Sequence, residues 1–369
     1  MTREEKVPPL RAVYLYLTSA CNLRCVHCWV QAESHPSWHD ALSAREIVHV
    51  LEPARSLGLE YVKITGGEPF LRSDALEVIQ ALTREGLDVD VETNATLVTE
   101  EVARTLGTLG MCSVSVSLDG ASPATHDAMR GQRGAFAAAM AAVRRLVHHG
   151  VSVEVLFTLT RKSAPELEEL LNVCARLGVQ AFKMNILLPM GRGLALHERD
   201  EALPVGEAVA LSRRLTEDWA PSYPFAVATS LPLAFVSRDL LRRGEGHRCP
   251  ILTILGLLHD GRVSFCGAGY LAEELCAGNL RKEGIDRLWR QSALFATLRA
   301  GLPSRLHGIC GRCLMRSVCL GACRANAYMQ TKDLFAGYWF CEAAARAGLF
   351  PESRLERACD TEADTATGR

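Results

Sequence analysis

No apolar run in this sequence is long enough to cross a bilayer; the longest, around Ile251–Leu258, stops at His259. No export signal opens it, because Met1–Leu10 is charged and carries Pro8 and Pro9. It has no surplus of either charge, with 41 Lys and Arg against 42 Asp and Glu and a net charge of -1. That removes the electrostatic footprint of a nucleic-acid binder. There is no internal repeat and no low-complexity segment. What remains is ordinary globular stock: 369 residues, 48% hydrophobic and 22% charged, enough for a sizeable core. The outlier is 14 cysteines. Without an export signal, and at metal-ligand spacings, they read as metal-bound thiolates in a reducing cytoplasm rather than as disulfides.

The first half alternates strand and helix. Strands are expected at Ala12–Thr18, Tyr61–Thr65, Asp88–Thr93, Ser113–Leu118, Ser152–Leu159 and Ala181–Asn185. Helices are expected after Ser43 (a capping box with Glu46), after Ser73, after Thr99, over Ala135–His149 and from Ser163-Ala164-Pro165-Glu166. A spacing of about 30 residues per unit predicts an α/β fold with a parallel sheet and right-handed crossovers. Periodicity leaves open whether six units close into a barrel. Past Pro189, Gly191-Arg192-Gly193 reads as a loop, with Arg192 either paired to a carboxylate or exposed. A helix is expected near Val205–Trp219. From Cys249 onward periodicity fades and cysteines accumulate, as in a small domain built around metals. Cys112 and Cys174 read as core, Cys359 as an idle tail residue, and Pro351–Arg369 as a frayed tail.

Cys21, Cys25 and Cys28 form C-x3-C-x2-C directly after the first strand. Loops in that position line the C-terminal mouth of a β/α barrel. Three thiolates so close can hold three corners of a cuboidal iron–sulfur cluster and leave one iron open. A structural zinc site with a distant fourth ligand is the other reading.

The chain resembles the radical S-adenosylmethionine (SAM) enzymes, and beyond the cysteines. Gly66-Gly67-Glu68-Pro69 follows the second strand as the family's GGEP motif does. Thr93-Asn94-Ala95 stands where the family commonly has Thr-Asn-Gly, and Ala95 suggests a position with no need for positive φ. Ser117-Leu118-Asp119-Gly120, His126-Asp127 and Arg130-Gly131 continue the pattern. The resemblance implies a partial (β/α)6 TIM-like barrel over residues 1–195 and a connecting segment over 196–248. It assigns Gly66, Gly67, Glu68, Asn94, Ser117 and Asp119 to SAM. Each is also an ordinary turn or cap residue type. His27, His126, His247, His259 and His307 read as single loop histidines, with His27 shaping the cysteine loop.

Cys249-x11-Gly261-x4-Cys266, then Cys310-x2-Cys313-x5-Cys319-x3-Cys323 and Cys341, resemble the SPASM domain, which carries auxiliary iron–sulfur clusters. The resemblance places this small domain at residues 249–350, with the tail at 351–369. It implies an outer 4Fe–4S cluster on Cys310, Cys313, Cys319 and Cys341. It implies an inner one on Cys249, Cys266 and Cys323, with Cys276 the candidate fourth ligand or the site open. Cys276 is otherwise a buried apolar side chain. Gly278-Asn279-Leu280 precedes an amphipathic stretch, Ile285–Leu298, in which Trp289 reads as packing.

The implied chemistry is reductive cleavage of SAM to a 5′-deoxyadenosyl radical, which abstracts hydrogen from substrate, with three 4Fe–4S clusters in all. Relatives with this second domain mostly modify peptides, so the first expectation is a cross-link, oxidation or epimerisation in a ribosomally made peptide. Gly267 stands where sulfatase maturases carry an Asp base, which weakens that option. About ten residues precede the first strand, so no leader-binding domain is expected in the chain and a separate leader-peptide-binding protein is. A flavodoxin or ferredoxin is the expected reductant, with no nucleic acid or membrane partner. The alternatives are an enzyme of a sugar, aminocyclitol or cofactor precursor, and a non-catalytic iron–sulfur carrier or zinc module.

Overall fold

The computed structural model describes residues 7–33, 40–110 and 112–356. Its first six strands are β1 (Ala12–Thr18), β2 (Tyr61–Gly66), β3 (Asp88–Thr93), β4 (Cys112–Ser117), β5 (Ser152–Leu159) and β6 (Ala181–Ile186). They pair in sequence order and in parallel. Between them run α1 (Ala44–Leu51), α2 (Ala75–Arg84), α3 (Glu100–Gly107), α4 (Pro123–Arg130), α5 (Ala135–His148) and α6 (Leu167–Leu177).

The sheet is wider than six strands. β7 (Ala226–Thr229) joins β6 in parallel, and β8 (Ile254–Leu257) joins the other side of β1, also in parallel. A hairpin, β9 (Arg262–Ser264) and β10 (Cys276–Asn279), extends that edge. The order is β10-β9-β8-β1-β2-β3-β4-β5-β6-β7, with β7 and β10 at opposite ends, so the barrel is open. The region from Cys249 therefore starts on the sheet itself. Neither new strand had a usable period: β7 is four residues long, and every residue of β8 is buried.

Local chemistry explains the helix starts. Ser43 and Glu46 form the expected capping box on α1, and Thr99 caps α3. α2 departs from expectation: Asp74, not Ser73, is its N-cap and gives the helix no side-chain bond. Arg72 occupies that carboxylate at 2.6 and 2.8 Å and also donates to the Leu17 carbonyl at 3.0 Å, tying the helix start to β1. The Gly191–Gly193 loop runs into α7 (Gly193–Glu198), and α8 (Val205–Arg213) continues as a wider turn to Trp219. The stretch expected as one helix from Ile285 is two, Ile285–Gln291 and Ala293–Gly301. Ser292 between them is extended, and its hydroxyl accepts from Phe295 N. Trp289 is packing, as read: it is buried, donates to the Pro8 carbonyl, and lies under Arg299 at 4.4 Å. Cys174 is buried in α6, Cys112 starts β4, and Cys359 lies outside the described residues. Among the described residues no helix is long and apolar enough to cross a membrane.

The two faces of the strands differ sharply. Val13, Leu15, Val62, Ile64, Val89, Val91, Val114, Val116, Val153, Val155, Phe182 and Met184 are buried in the main hydrophobic core. Alternation sends their neighbours inward. Those are Tyr14 and Tyr16, Lys63, Asp90 and Glu92, Ser113, Ser115 and Ser117, Glu154 and Lys183. The barrel interior is thus polar and charged.

Candidate active site

The loop after β1 carries the first cysteines and folds back on itself. Cys21 N donates to the Glu33 carbonyl at 2.8 Å, and Glu33 N to the Ser19 carbonyl at 2.9 Å. Arg192 reaches across from the far side of the barrel. It donates to the carbonyls of Cys25 at 2.8 Å and Ala32 at 3.3 Å, so it is neither exposed nor paired with a carboxylate. Gly191 must be glycine here: φ is 58°, and a Cβ would lie 2.3 Å from the Trp29 carbonyl oxygen.

The loops after the other strands grip the same segment. The Gly66–Gly67 pair packs on backbone, and a Cβ on Gly67 would sit 1.8 Å from the Ala20 carbonyl oxygen. Glu68 is fully buried and accepts from Thr93 Oγ1 at 2.6 Å, Asn94 N at 2.8 Å and Phe70 N at 3.2 Å. Burial pushes its carboxyl up to about 7 against the pull of those donors. Asn94 Nδ2 donates to Asn22 Oδ1 at 3.0 Å and lies 3.7 Å from Cys21 Sγ. Ala95 corrects an expectation: its φ is 62°, so the left-handed backbone is needed here without glycine. Its N–H bonds Thr93 Oγ1 at 2.9 Å, which holds the turn at a cost of about 1–2 kcal/mol for the Cβ.

Asp119 is fully buried. Its Oδ1 accepts from Thr158 N at 2.8 Å, and Arg130 approaches Oδ2 at 2.7 Å, off the line of a straight hydrogen bond. Burial opposes its charge, but Arg130 first, then the neighbouring imidazoles and the Thr158 N–H, together outweigh it and hold the carboxyl below its usual range. Arg130 also lies 3.6 Å from Cys25 Sγ. Gly131, just after it, lets α4 approach the cysteine loop, since a Cβ there would be 2.5 Å from the Arg24 carbonyl oxygen. His126 sits in α4 and is buried, not in a loop. Burial lowers its pKa to about 4, so it is neutral and its Nδ1 accepts from Asp119 N at 3.1 Å. His27, lowered to about 4 by burial, stands 3.5 Å from Asp119. Ser117 ends β4, half-buried at the same mouth.

Three buried polar atoms around this point have no hydrogen-bond partner among the described residues: His27 Nδ1, Arg130 Nε and Asp119 Oδ2, the last held by Arg130 as an ion pair. The three thiols are close enough to oppose one another's ionisation; burial first, then the Glu68 carboxylate and those neighbours, push Cys21 up to about 12. Coordination to metal reverses that by replacing the protons. Among the described residues no three His, Cys, Asp or Glu groups converge as on a single ion. By its chemistry, three soft thiols on one loop with N–H groups directed at two of them, the donor set fits an iron–sulfur cluster.

The later cysteines form two groups. Cys310, Cys313, Cys319 and Cys341 line one cleft with Met315 and Phe350. Tyr338 N and Met315 N point at Cys310 Sγ and Cys313 Sγ at 3.3 and 3.4 Å. Cys249, Cys266 and Cys323 neighbour one another, and burial first, then Cys323, holds the Cys266 thiol far above its usual value. Cys276 does not join them, which corrects its reading as a fourth ligand. Pairing with Ser264 in the hairpin turns it toward Gly269, and its charged neighbours are Arg262, Asp260 and Glu273.

The charged barrel interior escaped the sequence reading, although its signal is the polar residue at every second strand position. Lys63 bonds Glu92 at 3.0 Å and Asp90 at 3.5 Å, and Ser113 and Ser115 donate to Asp90. Burial lowers the Lys183 amine, and no carboxylate lies within ion-pair distance of it among the described residues. Lys183 and Glu154 open onto a cavity of ≈ 290 Å³ beside β7, roofed by residues between Leu231 and His247.

Comparison with known proteins now decides the family. Residues 15–174 match the radical SAM superfamily model, and residues 249–314 match SPASM, the iron-sulfur cluster-binding domain. The AdoMet-dependent heme synthase of Oleidesulfovibrio alaskensis is 30% identical over 362 residues, covering 92% of this chain and 89% of that protein. The chain belongs to the radical SAM superfamily. It is a radical SAM/SPASM enzyme, and S-adenosylmethionine and a 4Fe–4S cluster come with that membership. The mycofactocin maturase of Mycolicibacterium smegmatis is 30% identical, covering 85% of this chain and 77% of that protein. Streptococcus suis SuiB, solved with S-adenosylmethionine and with its precursor peptide SuiA, shares the fold. With S-adenosylmethionine it superposes with a TM-score of 0.74 at 17% identity, over 91% of this chain and 78% of SuiB.

Proposed function

We propose that this radical SAM enzyme abstracts hydrogen from a polar substrate held in the barrel interior, with Cys21, Cys25 and Cys28 holding the SAM-binding cluster. The observation that carries this reading is three thiols on one loop at the barrel mouth, gripped by Asn94, Arg130 and Arg192 from three other strands' loops. When bound, the cluster supplies the electron that splits SAM into methionine and a 5′-deoxyadenosyl radical. The chain supplies position. Three thiolates leave one corner for the amino and carboxylate groups of SAM. Gly66, Gly67, Asn94 and Ser117 are the proposed SAM contacts. Glu68 and Asp119 act at one remove, because their oxygens hold the loop after β3 and Arg130. Arg130 and Asn94 direct N–H groups at the Cys25 and Cys21 sulfurs.

We place an outer 4Fe–4S cluster on Cys310, Cys313, Cys319 and Cys341 and an inner one on Cys249, Cys266 and Cys323, three clusters in all. When bound, they would offer the substrate radical's electron an outlet, and a cytoplasmic flavodoxin or ferredoxin would supply the first electron. The favoured substrate is a peptide. The lateral cavity of ≈ 290 Å³ lies at the small end of ligand sites and suits a side chain better than a macrocycle. A separate leader-binding protein would then deliver it. The second reading, a small molecule of the tetrapyrrole class, is favoured by the heme synthases, which match more of the chain than the maturases do.

The test is anaerobic reconstitution, then SAM and dithionite, with 5′-deoxyadenosine measured. Intact SAM with full iron would overturn the radical reading. Peptides encoded beside the gene and iron coproporphyrin are then offered in parallel. A mass change in a peptide supports the first reading; conversion of the porphyrin alone replaces it with the second.

A further inference from the structure

Arg324 is the most unusual charge in the molecule. It follows Cys323 directly and opens the helix Arg324–Thr331. Its side chain is 1% exposed, yet among the described residues no carboxylate lies within ion-pair distance of it. Its partners are carbonyls: Ala336 at 2.7 Å, Leu334 at 3.2 Å and Gly321. Its Nε has no hydrogen-bond partner among the described residues. A buried guanidinium held only by dipoles is costly, and such charges normally persist beside an anion.

The anions at hand are sulfur. Its guanidinium bonds the Gly321 carbonyl, between Cys319 of the outer group and Cys323 of the inner one, and the Ala336 carbonyl, two residues before Tyr338, whose N–H points at Cys310 Sγ; it therefore sits between the two groups. The backbone is shaped to keep it there. Leu320, Gly321 and Ala322, between Cys319 and Cys323, all have positive φ, at 52°, 74° and 54°. Two of these are not glycine, which is strain the local packing must sustain. A Cβ on Gly321 would lie 2.5 Å from Arg324 Cζ, so a side chain there would push the guanidinium aside.

We propose that Arg324 is the shared counter-charge of the two auxiliary cysteine groups and sets the reduction potential of the clusters they hold. The inference rests on the cluster reading given above. A fixed positive charge in a dry, low-dielectric site stabilises the reduced cluster, which carries one more electron, over the oxidised one. Arg324 thereby raises both auxiliary potentials and makes them better electron acceptors. It is a positioning and tuning residue that touches no substrate.

The test uses full-length protein, reconstituted anaerobically, in a Cys21/Cys25/Cys28→Ala background so that only auxiliary signals remain. Iron is counted and redox titrations are followed by electron paramagnetic resonance for Arg324, Arg324→Lys and Arg324→Gln. The expected result is unchanged iron with the Gln variant at least tenfold harder to reduce, about 59 mV for one electron, and the Lys variant near the parent. If the Gln variant loses iron, a Lys variant with parental iron and potentials still supports the role of charge. Three results overturn the proposal: unchanged potentials in the Gln variant, equal shifts in both variants, or iron loss in both. The last two would mean that the carbonyl bonds matter and the charge does not. A parent with no auxiliary iron overturns the cluster reading itself, before either variant is considered.

Discussion

The two cysteine regions solve the same problem in opposite ways. At the barrel mouth, Cys21, Cys25 and Cys28 sit on one loop, and the groups that touch them arrive on the ends of regular strands and helices. The cation beside them, Arg130, is neutralised by Asp119 at 2.7 Å. At the other end, Cys310, Cys313, Cys319, Cys323 and Cys341 sit on short helices and the turns between them, and the cation beside them, Arg324, has no acid within ion-pair distance among the described residues. The first site is rigid because a barrel stands behind it. The second borrows its order from short caps, left-handed residues and the metal it is proposed to hold. Compensated charge suits a strong reductant, and an uncompensated cation suits an electron acceptor.

Substitutions can break this contrast. The largest effect is expected from Cys25→Ala, which should reduce 5′-deoxyadenosine formation to background. Cys319→Ala should spare uncoupled SAM cleavage and stop product; full turnover in that variant would make the outer group dispensable. Next, Arg130→Met leaves the Asp119 carboxylate buried and unpaired, and should cost about 3–5 kcal/mol in denaturant unfolding of the metal-free protein. A loss below 1 kcal/mol would mean that the pair does not hold the loop after β4.

A smaller loss is expected at Glu166, which accepts from Ala121 N, Ser122 N, Ser122 Oγ and Thr125 Oγ1 at 2.6–3.0 Å. Burial opposes its charge, but these donors hold its carboxyl below the usual range. Its contribution is therefore complete above the ordinary carboxylate pKa and disappears as pH falls through the depressed one. Glu166→Gln should cost about 1–2 kcal/mol at pH 7 and nothing at the acid end. An equal loss at both pH values would point to packing instead. The smallest effect is expected from Ala95→Gly: relief of the left-handed Cβ roughly offsets the extra freedom of the unfolded chain, leaving a change within about 1 kcal/mol. A large loss of melting temperature would mean that the Ala95 methyl packs tightly.

Much of this was legible beforehand. The six strands and the caps at Ser43 and Thr99 follow from periodicity and from side chains that bond their own backbone, and the grouping of Cys310, Cys313, Cys319 and Cys341 was implied by the SPASM resemblance. Other features depend on residues far apart in the chain. Ser73 was expected to start α2; Asp74 stands at that cap, and Arg72 holds its carboxylate. Arg192 was expected to be exposed or paired with a carboxylate, and it anchors the Cys25 carbonyl, 167 residues away. Cys276 was near enough to Cys266 in sequence, and hairpin register turned it elsewhere.

Local sequence determined the six strands of the first half, their helices, and the close-spaced thiols Cys21, Cys25 and Cys28, because these depend on neighbours within a few residues. Only the tertiary structure decided which distant thiols come together and which charges remain uncompensated. Glu68, Asp119 and Arg130 find their partners across the barrel mouth, while Arg324 and Lys183 find no acid within ion-pair distance among the described residues. Burial of an ionised group is costly unless an opposite charge arrives from elsewhere in the fold, and no window of sequence records whether one does.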